Sequence, residues 1–197
     1  MTRLPIFTLS LILTGFASIQ PSYTATAQSD AAWTTLFDGK SLKGWDVVGD
    51  ANWEVADGVI QANKGSGFLV TPASYPDFQI TLEFWVTDDA NSGVFIRCSD
   101  PKKITATNSY EVNIFDKRPD QSYRTGGIVD VAKPSSVINT GGKWNSYDIM
   151  AKGPKMIITL NGVKVVEVDD TKHKGGPIAL QYGGGTVRFR NVRIRRL

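Results

Sequence analysis

The chain has few of the features that mark several common protein classes. Its 197 residues include one cysteine and one histidine, so an internal disulfide is excluded, and a Cys–His catalytic pair would require those two residues to meet by chance. The formal net charge is only +3, which gives no electrostatic reason to expect a nucleic-acid partner. Repeats and charged blocks are lacking, and 41% hydrophobic residues are typical of a globular protein.

The first 27 residues have the pattern of a secretory signal peptide. Arg3 supplies a positive charge, Leu9–Ala17 is apolar, and Ala25-Thr26-Ala27 is an A-x-A cleavage site. The apolar stretch is shorter than the roughly 20 residues of a membrane-spanning helix, and no cysteine directly follows it for lipid attachment. We therefore expect removal of residues 1–27, an exported protein that is periplasmic or secreted, no membrane partner, and one domain over residues 33–197.

The rest of the chain has the pattern of an all-β sandwich or barrel. Short alternating runs are interrupted by Gly, Asn, Asp or Pro about every 8–12 residues. Asn161-Gly162 between two β-branched runs predicts a hairpin, because both residue types tolerate the positive φ of a type I′ turn. A second hairpin is predicted around Ala56-Asp57-Gly58. Further strands are predicted at Phe78–Val86, Ser92–Cys98, Tyr110–Phe115, Ser146–Ala151, Ile178–Gln181 and Thr186–Ile194.

Three successive predicted strands each combine an apolar face with a mixed face of aromatic and charged side chains. The mixed faces of Phe78–Val86, Ser92–Cys98 and Tyr110–Phe115 contain Glu83, Trp85, Phe95, Arg97, Glu111, Asn113 and Phe115. A merely solvated face would be expected to carry Lys, Thr and Ser instead. The combination therefore predicts a ligand groove. Cys98, at the end of the second strand, is predicted to be a buried thiol.

Ordered motifs cover nearly the whole mature chain. They are Leu36–Trp45 (LFDGKSLKGW), Trp53–Ile60 (WEVADGVI), Leu82–Phe84 (LEF), Asn91–Arg97 (NSGVFIR), Tyr110–Asp116 (YEVNIFD), Thr125-Gly126, Gly142–Tyr147 (GKWNSY), Gly176–Gln181 (GPIALQ) and Val187–Ile194 (VRFRNVRI). Together they resemble the 3-keto-disaccharide hydrolase domain family. Two positions depart from its pattern: the usual His of Gln-x-His-Gly is missing from Gln181–Gly185, and Asn113 replaces the usual Gln.

The resemblance implies an antiparallel two-sheet jelly roll of the concanavalin-like type, with ligands in the concave face. It also implies an exported bacterial protein that acts on glycosides oxidised at C3. Some members of the family depend on a divalent metal, so such a metal is a candidate cofactor here, with unknown ligands. The missing His removes the residue that His-dependent metal ligation or proton transfer would use.

Cleavage of a 3-keto-glycoside needs a base, and a positive or hydrogen-bond-donating group near the ketone. The C3 carbonyl makes the C2 proton acidic, so a carboxylate can remove it and leave an enolate. Glu111 is the first candidate for the base, Glu83 is an alternative base or metal ligand, and Arg97 is a candidate to stabilise the enolate oxygen. The alternatives are an exposed or Arg-paired carboxylate for each Glu and a static salt bridge for Arg97.

Four further residues are candidates for substrate binding: Trp85, Asn91, Asn113 and Asp116. Trp85 is the tryptophan expected to stack on a sugar ring, because it shares a face with Glu83. The alternatives are an ordinary loop for the Asn91 segment and a turn cap for Asp116. His173 is predicted at the surface, and the arginines near the C-terminus are predicted to form one solvated face.

Two hypotheses about function therefore stay open, and both have a carbohydrate as the partner. The first is a hydrolase that cleaves 3-keto-glycosides by C2 proton abstraction, elimination and hydration. The second is a non-catalytic carbohydrate-binding module on the same scaffold, since a fold does not decide between the two.

Overall fold

The computed structural model describes Met1 and residues 32–197, and the predicted signal peptide lies, apart from Met1, outside the described residues. The described part forms strands and one short 3-10 turn at Gln121–Tyr123. It contains no helix long and apolar enough to cross a membrane. The strands are β1 (Thr34–Thr35), β2 (Asp46–Gly49), β3 (Glu54–Ala56), β4 (Val59–Ala62), β5 (Gly67–Val70), β6 (Phe78–Val86), β7 (Ser92–Ile96), β8 (Tyr110–Ile114), β9 (Trp144–Lys152), β10 (Lys155–Leu160), β11 (Val163–Asp169), β12 (Ala179–Tyr182) and β13 (Val187–Arg196).

These strands form two antiparallel sheets. The eight-stranded sheet has the order β11-β10-β9-β6-β13-β4-β3, and β1 also pairs with β13. The five-stranded sheet has the order β2-β5-β12-β7-β8. The prediction of an all-β, antiparallel two-sheet sandwich is confirmed.

The strands begin and end where the turn chemistry indicates. Asn161 and Gly162 have φ values of 52° and 79° and form the β10–β11 turn, and Asp57 and Gly58, at 52° and 76°, form the β3–β4 turn. Positive φ at both central positions is what a type I′ hairpin turn requires. Several predicted boundaries differ from the observed ones by one or two residues. In β7 the reason is clear: the strand ends at Ile96 and not at Cys98, because Arg97 has a φ of 54° and leaves the extended conformation.

The core lies between the two sheets and is filled by the alternate side chains that face inward. In β6, for example, Phe78, Ile80, Leu82, Phe84 and Val86 are buried while the residues between them are partly exposed. The five-stranded sheet also buries apolar side chains on its outer face, where Phe95 and Cys98 pack with Val70 and Ala179 under Ile104. Cys98 is the buried thiol that was predicted.

Tyr147 joins the two sheets beneath the loop that follows β8. Its hydroxyl, on β9 of the eight-stranded sheet, donates to the carbonyl oxygen of Asn113 in β8 at 2.6 Å and accepts from the Gly126 amide at 2.8 Å. The segment Gly126–Val129 in turn hydrogen-bonds along the free edge of β8. One phenol therefore fixes both β8 and the segment that covers its edge.

We predict that Tyr147→Phe lowers the free energy of unfolding by about 2 kcal/mol, because it removes two buried hydrogen bonds, one from the Gly126 amide and one to the Asn113 carbonyl, and leaves only the 3.1 Å bond between those two groups. Urea denaturation measures this change. Tyr182→Phe is the matched control: its hydroxyl makes one part-buried hydrogen bond, to the Gly185 carbonyl, so its loss is expected to be smaller. Equal losses in the two variants would contradict the cross-sheet role of Tyr147.

Candidate active site

The strongest candidate for a catalytic group is Glu111, on the outer face of the five-stranded sheet. It lies in β8 directly across from Phe95 of β7, which is itself paired with Ala179 of β12. Glu111 is only 8% exposed. Its Cγ lies 3.3 Å from the position that a Cβ on Gly93 would occupy, so the glycine leaves the space that the glutamate fills.

The Glu111 carboxylate is buried without a close partner. Within residues 32–197 no hydrogen bond or ion pair ends on its oxygens. Burial raises its pKa to about 7; the charge of Arg118 opposes this shift and the charge of Asp130 adds to it. A carboxylate that titrates near neutral pH is suited to accept a proton from carbon and release it again.

Polar acceptors surround Glu111 on the same outer face. Asn113, two residues along β8, donates from its amide nitrogen to the Tyr123 carbonyl, while its Oδ1 is buried without a partner. Gln181 follows the β12–β7 pair Leu180–Val94, and its Oε1 is likewise buried without a partner. Buried acceptors without donors are costly, so these two oxygens indicate groups kept for a ligand.

Gln181 lines a cleft of about 340 Å³ on the outer face of the five-stranded sheet. Phe68 and Ile104 supply apolar contacts in this cleft, and Lys102 and Lys103 lie on its rim. Phe68 and Phe95 meet edge to face with ring centroids 5.2 Å apart. Glu111 is not itself in the lining; it lies two strands from Gln181, roughly 10 Å away.

Asn91 lies at the Gly183 end of the same cleft. Its backbone pairs with Gly183 and Gly184. Its amide nitrogen is 3.0 Å from the position that a Cβ on Gly183 would occupy. Gly183 stands where the Gln-x-His-Gly pattern has its histidine, so the Asn91 amide takes part of the space that this side chain would need.

Three of the predicted site residues, Glu111, Asn113 and Asn91, therefore share one face, but Glu83 and Trp85 do not. These two residues project from the outer face of the eight-stranded sheet. Hydrogen bonds from Arg190 at 2.7 Å and Asn191 at 2.8 Å hold the Glu83 carboxylate. Arg188 covers the Trp85 ring at 4.6 Å. The prediction of one shared groove is wrong, because β6 and β7 belong to different sheets.

The Glu83 carboxylate is also electrostatically unlike that of Glu111. Partial burial acts to raise its pKa, but the hydrogen bonds from Asn191 and Arg190 outweigh burial and leave the pKa lowered. Glu83 is therefore the Arg-paired carboxylate that was the alternative to a catalytic role.

Arg97 is also absent from the Glu111 face. Its positive φ turns the side chain toward the start of β6, where it is 1% exposed. The guanidinium donates to the carbonyls of Pro76 and His173 and contacts Asp77 at 3.3 Å. Arg97 therefore ties loops at one end of the sandwich, and it is not positioned to stabilise an enolate next to Glu111.

Asp116 holds the loop that follows β8. Its carboxylate accepts from the Thr125 hydroxyl at 2.6 Å and from the amides of Thr140 and Gly141, and Arg124 lies 3.6 Å away. These contacts use the oxygen lone pairs that a sugar would need. The turn-capping alternative describes Asp116 better than a substrate-binding role.

His173 is buried rather than at the surface, which corrects the expectation for it. It is 9% exposed, its ring packs edge to face on Tyr110, and its Nε2 has no hydrogen-bond partner. Burial, with a smaller contribution from Lys172, lowers its pKa, so the imidazole is neutral at pH 7.

The described residues do not fit a divalent metal. Among residues 32–197, no three His, Cys, Asp or Glu side chains converge. The carboxylate of Asp130 is close enough to act on Glu111 through its charge, but among residues 32–197 no third His, Cys, Asp or Glu joins these two. The other oxygen donors on this face are amides, and a dedicated divalent site usually gathers several carboxylates.

Two residues of the site, Gln181 and Arg118, were not predicted from the sequence. Gln181 was visible as an outward position of a strand that follows Gly-Pro-Ile, a signal that alternation alone could have supplied. Arg118 lies in an irregular loop whose course no local pattern indicates, and its Nε is buried without a partner.

Comparison with known proteins agrees with this fold. Residues 32–195 match the family described as the 3-keto-alpha-glucoside-1,2-lyase-like domain. The chain belongs to this family, as its motifs had indicated. A 3-keto-disaccharide hydrolase of Bacteroides thetaiotaomicron is 24% identical over an alignment of 169 residues that covers 68% of this chain and 58% of the relative. The chain thus spans somewhat more than half the length of that relative.

Solved structures give the same picture. Two Parabacteroides distasonis proteins that are provisionally assigned as glycosyl hydrolases superpose on this chain. The first has a TM-score of 0.76 and 25% identity, over 84% of this chain and 94% of its own. The second has a TM-score of 0.73 and 28% identity, over 84% of this chain and 100% of its own. The carbohydrate-binding module CBM66 of Bacillus subtilis shares the fold at 21% identity and a TM-score of 0.63, over 77% of this chain and 95% of that one. The comparisons support a carbohydrate-related function.

The raised pKa of Glu111 predicts a pH-dependent gain in stability for Glu111→Gln. Below the unfolded pKa, near 4.5, both states are protonated and the carboxyl carries no ionisation penalty. As pH rises through the folded pKa of about 7, the native state must ionise a buried group. At about 1.4 kcal/mol per pKa unit, the wild type loses on the order of 3 kcal/mol of stability over this range.

The melting temperature of Glu111→Gln should therefore exceed that of the wild type by more at pH 8 than at pH 5. Glu83→Gln is the control, because the lowered pKa of Glu83 stabilises the fold throughout this pH range and its removal costs the same at both values. Thermal denaturation at the two pH values measures both variants. A gain for Glu111→Gln that does not change with pH would show that the carboxyl is not held near pKa 7.

Proposed function

We propose that this protein cleaves 3-keto-glycosides on the outer face of the five-stranded sheet, with Glu111 as the general base. The observation that carries the proposal is a buried carboxylate without a partner, with its pKa raised to about 7, on a face that it shares with three amide side chains. Those amides are Asn91, Asn113 and Gln181. Phe68 and Phe95 add the apolar surface on which a sugar ring packs.

The reaction proceeds by elimination and hydration. Glu111 takes the C2 proton, which the C3 ketone has made acidic, and the negative charge moves to the ketone oxygen. The enolate electrons then re-form the C3 ketone and make a C1–C2 double bond as the C1–O bond breaks. The aglycone gains a proton and leaves as an alcohol. Water then adds across C1 and C2, with its oxygen at C1. The net change is hydrolysis, with no need for the paired carboxylates of ordinary glycosidases.

Arg118 is the group that we assign to the developing charge. Its cation lowers the energy of the ionised Glu111 and has a buried Nε that no described residue accepts from. A positive group that already acts on the base can also stabilise the enolate oxygen, which is two bonds from the carbon that loses the proton.

A non-catalytic carbohydrate-binding role is the second candidate. It is favoured by the failure of Glu83, Arg97 and Glu111 to converge. One experiment distinguishes the two.

That experiment measures aglycone release from a panel of 3-keto-glucosides. Glu111→Gln is expected to lose activity by about 10²–10⁴-fold, the usual contribution of a general base. Glu83→Gln, which removes a carboxylate from the opposite sheet, should retain it. Wild-type kcat/KM should rise with pH through about 7 as Glu111 ionises, and EDTA should not abolish it. Release by Glu111→Gln at the wild-type rate would reject this base, and no release by the folded wild type would favour a binding module.

We also propose that the protein is exported after cleavage behind Ala27. Intact-mass and N-terminal analysis of protein recovered from outside the cytoplasm should find Gln28 as the first residue. Recovery of the full 197-residue chain there would contradict cleavage.

A further inference from the structure

The outer face of the eight-stranded sheet carries a second cleft, which we call the trench. Its volume is about 620 Å³, against about 340 Å³ for the cleft that Gln181 lines. It crosses strands β13, β6, β9 and β10, and the polar side chains in its lining include Thr81, Glu83, Ser146, Asp148, Thr159 and Arg193.

The register of the strands explains why this face is hollow. Arg193, Thr81, Asp148 and Thr159 occupy one row of paired residues, and Arg190, Glu83 and Ser146 occupy the next. Because short Thr and Ser side chains recur in these rows, the floor lies low. Four strands at about 4.8 Å spacing give a trench roughly 14 Å across, which suits a chain of several sugar rings better than a single one.

Stacked arginine and tryptophan side chains flank the trench on both sides. The row beyond Glu83 carries Trp85 under Arg188, at 4.6 Å, and Trp144 under Arg190, at 3.9 Å. On the other side, Arg193 and Arg195 lie 4.9 and 5.1 Å from the Trp33 ring. These cation–π contacts hold long side chains upright, so the walls are formed before any ligand binds.

The trench contains hydrogen-bonding groups that the protein does not use. Among the described residues, Ser146 Oγ and Thr159 Oγ1 have no partner. Arg193 uses Nε to donate to Thr81 at 3.0 Å and leaves its two terminal nitrogens free. Asp148 accepts from the Gln79 amide alone. Donors and acceptors thus alternate along the floor, as sugar hydroxyls require, since each hydroxyl both donates and accepts.

The charges in the trench favour a neutral ligand. The charged side chains in the trench lining are the carboxylates of Glu83 and Asp148 and the cation of Arg193, and Arg190 pairs with Glu83, so the floor has no excess of positive charge that would select an acidic ligand. An acidic sugar chain would meet the Asp148 carboxylate directly. We propose that the trench is a second carbohydrate site, which binds a neutral oligosaccharide independently of the proposed active site on the opposite sheet.

Calorimetric titration with neutral tetrasaccharides tests this proposal: cellotetraose, laminaritetraose, xylotetraose and maltotetraose, with tetragalacturonate as the acidic probe. Ser146→Trp places a large side chain on the trench floor at an exposed strand position, and Arg193→Ala removes unused donors. Lys152→Trp is the matched control, since Lys152 is exposed on the same face of β9 but outside the trench. Circular dichroism checks that each variant is folded.

At least one neutral tetrasaccharide should bind the wild type. Ser146→Trp and Arg193→Ala should each weaken that binding by about tenfold or more, while Lys152→Trp and Glu111→Gln stay within about twofold. Binding that is preserved in both trench variants, that disappears in Glu111→Gln, or that occurs only with tetragalacturonate would overturn the proposal, as would no binding at all. Because release of aglycone is measured separately, failure here leaves the proposed catalytic function standing.

Discussion

The chain changes sheet between β6 and β7, and this crossing decides which polar side chains can meet. β6 ends at Val86 in the eight-stranded sheet, and β7 begins at Ser92 in the five-stranded sheet. Outward side chains of the two strands therefore point in opposite directions, with the hydrophobic core between them. Glu83 and Trp85 face the trench, whereas Phe95 and Glu111 form the candidate active site. The two carboxylates can act independently, because each belongs to a separate surface.

Burial sets the chemical character of the site. The Glu111 side chain lies in the gap left by Gly93, beside Phe95. The segment from Gly126 to Val129 hydrogen-bonds to the backbone of β8, and the phenol of Tyr147 holds that segment in place. An ionised carboxylate without a donor is costly in such a place, so the fold gives up stability at neutral pH. Buried ionisable groups with a shifted pKa are found at functional sites, where a carboxylate that titrates near neutral pH can act as a base.

Local sequence patterns predicted the strands, the hairpin turns and the sandwich, because alternation and Asn-Gly or Asp-Gly turns act within a few residues. They also placed Glu111, Asn113 and Asn91 correctly on strands or at strand ends. The partner of each side chain depends on which sheet a strand joins, and that is set by long-range pairing. Glu83 and Arg97 were candidates because of their positions along predicted strands, but both lie away from the Glu111 face. The direction of the Arg97 side chain depends on the positive φ of that residue, and the position of Arg118 depends on the course of an irregular loop.

The most direct test of the account is a crystal structure of Glu111→Gln soaked with a 3-keto-glucoside. The account predicts a sugar ring on the outer face of the five-stranded sheet, with C2 facing residue 111, the C3 ketone oxygen toward Arg118, and the remaining hydroxyls within reach of Asn113 or Gln181. A keto-sugar ring bound elsewhere, with residue 111 out of contact, would contradict the assignment of both the base and the catalytic face.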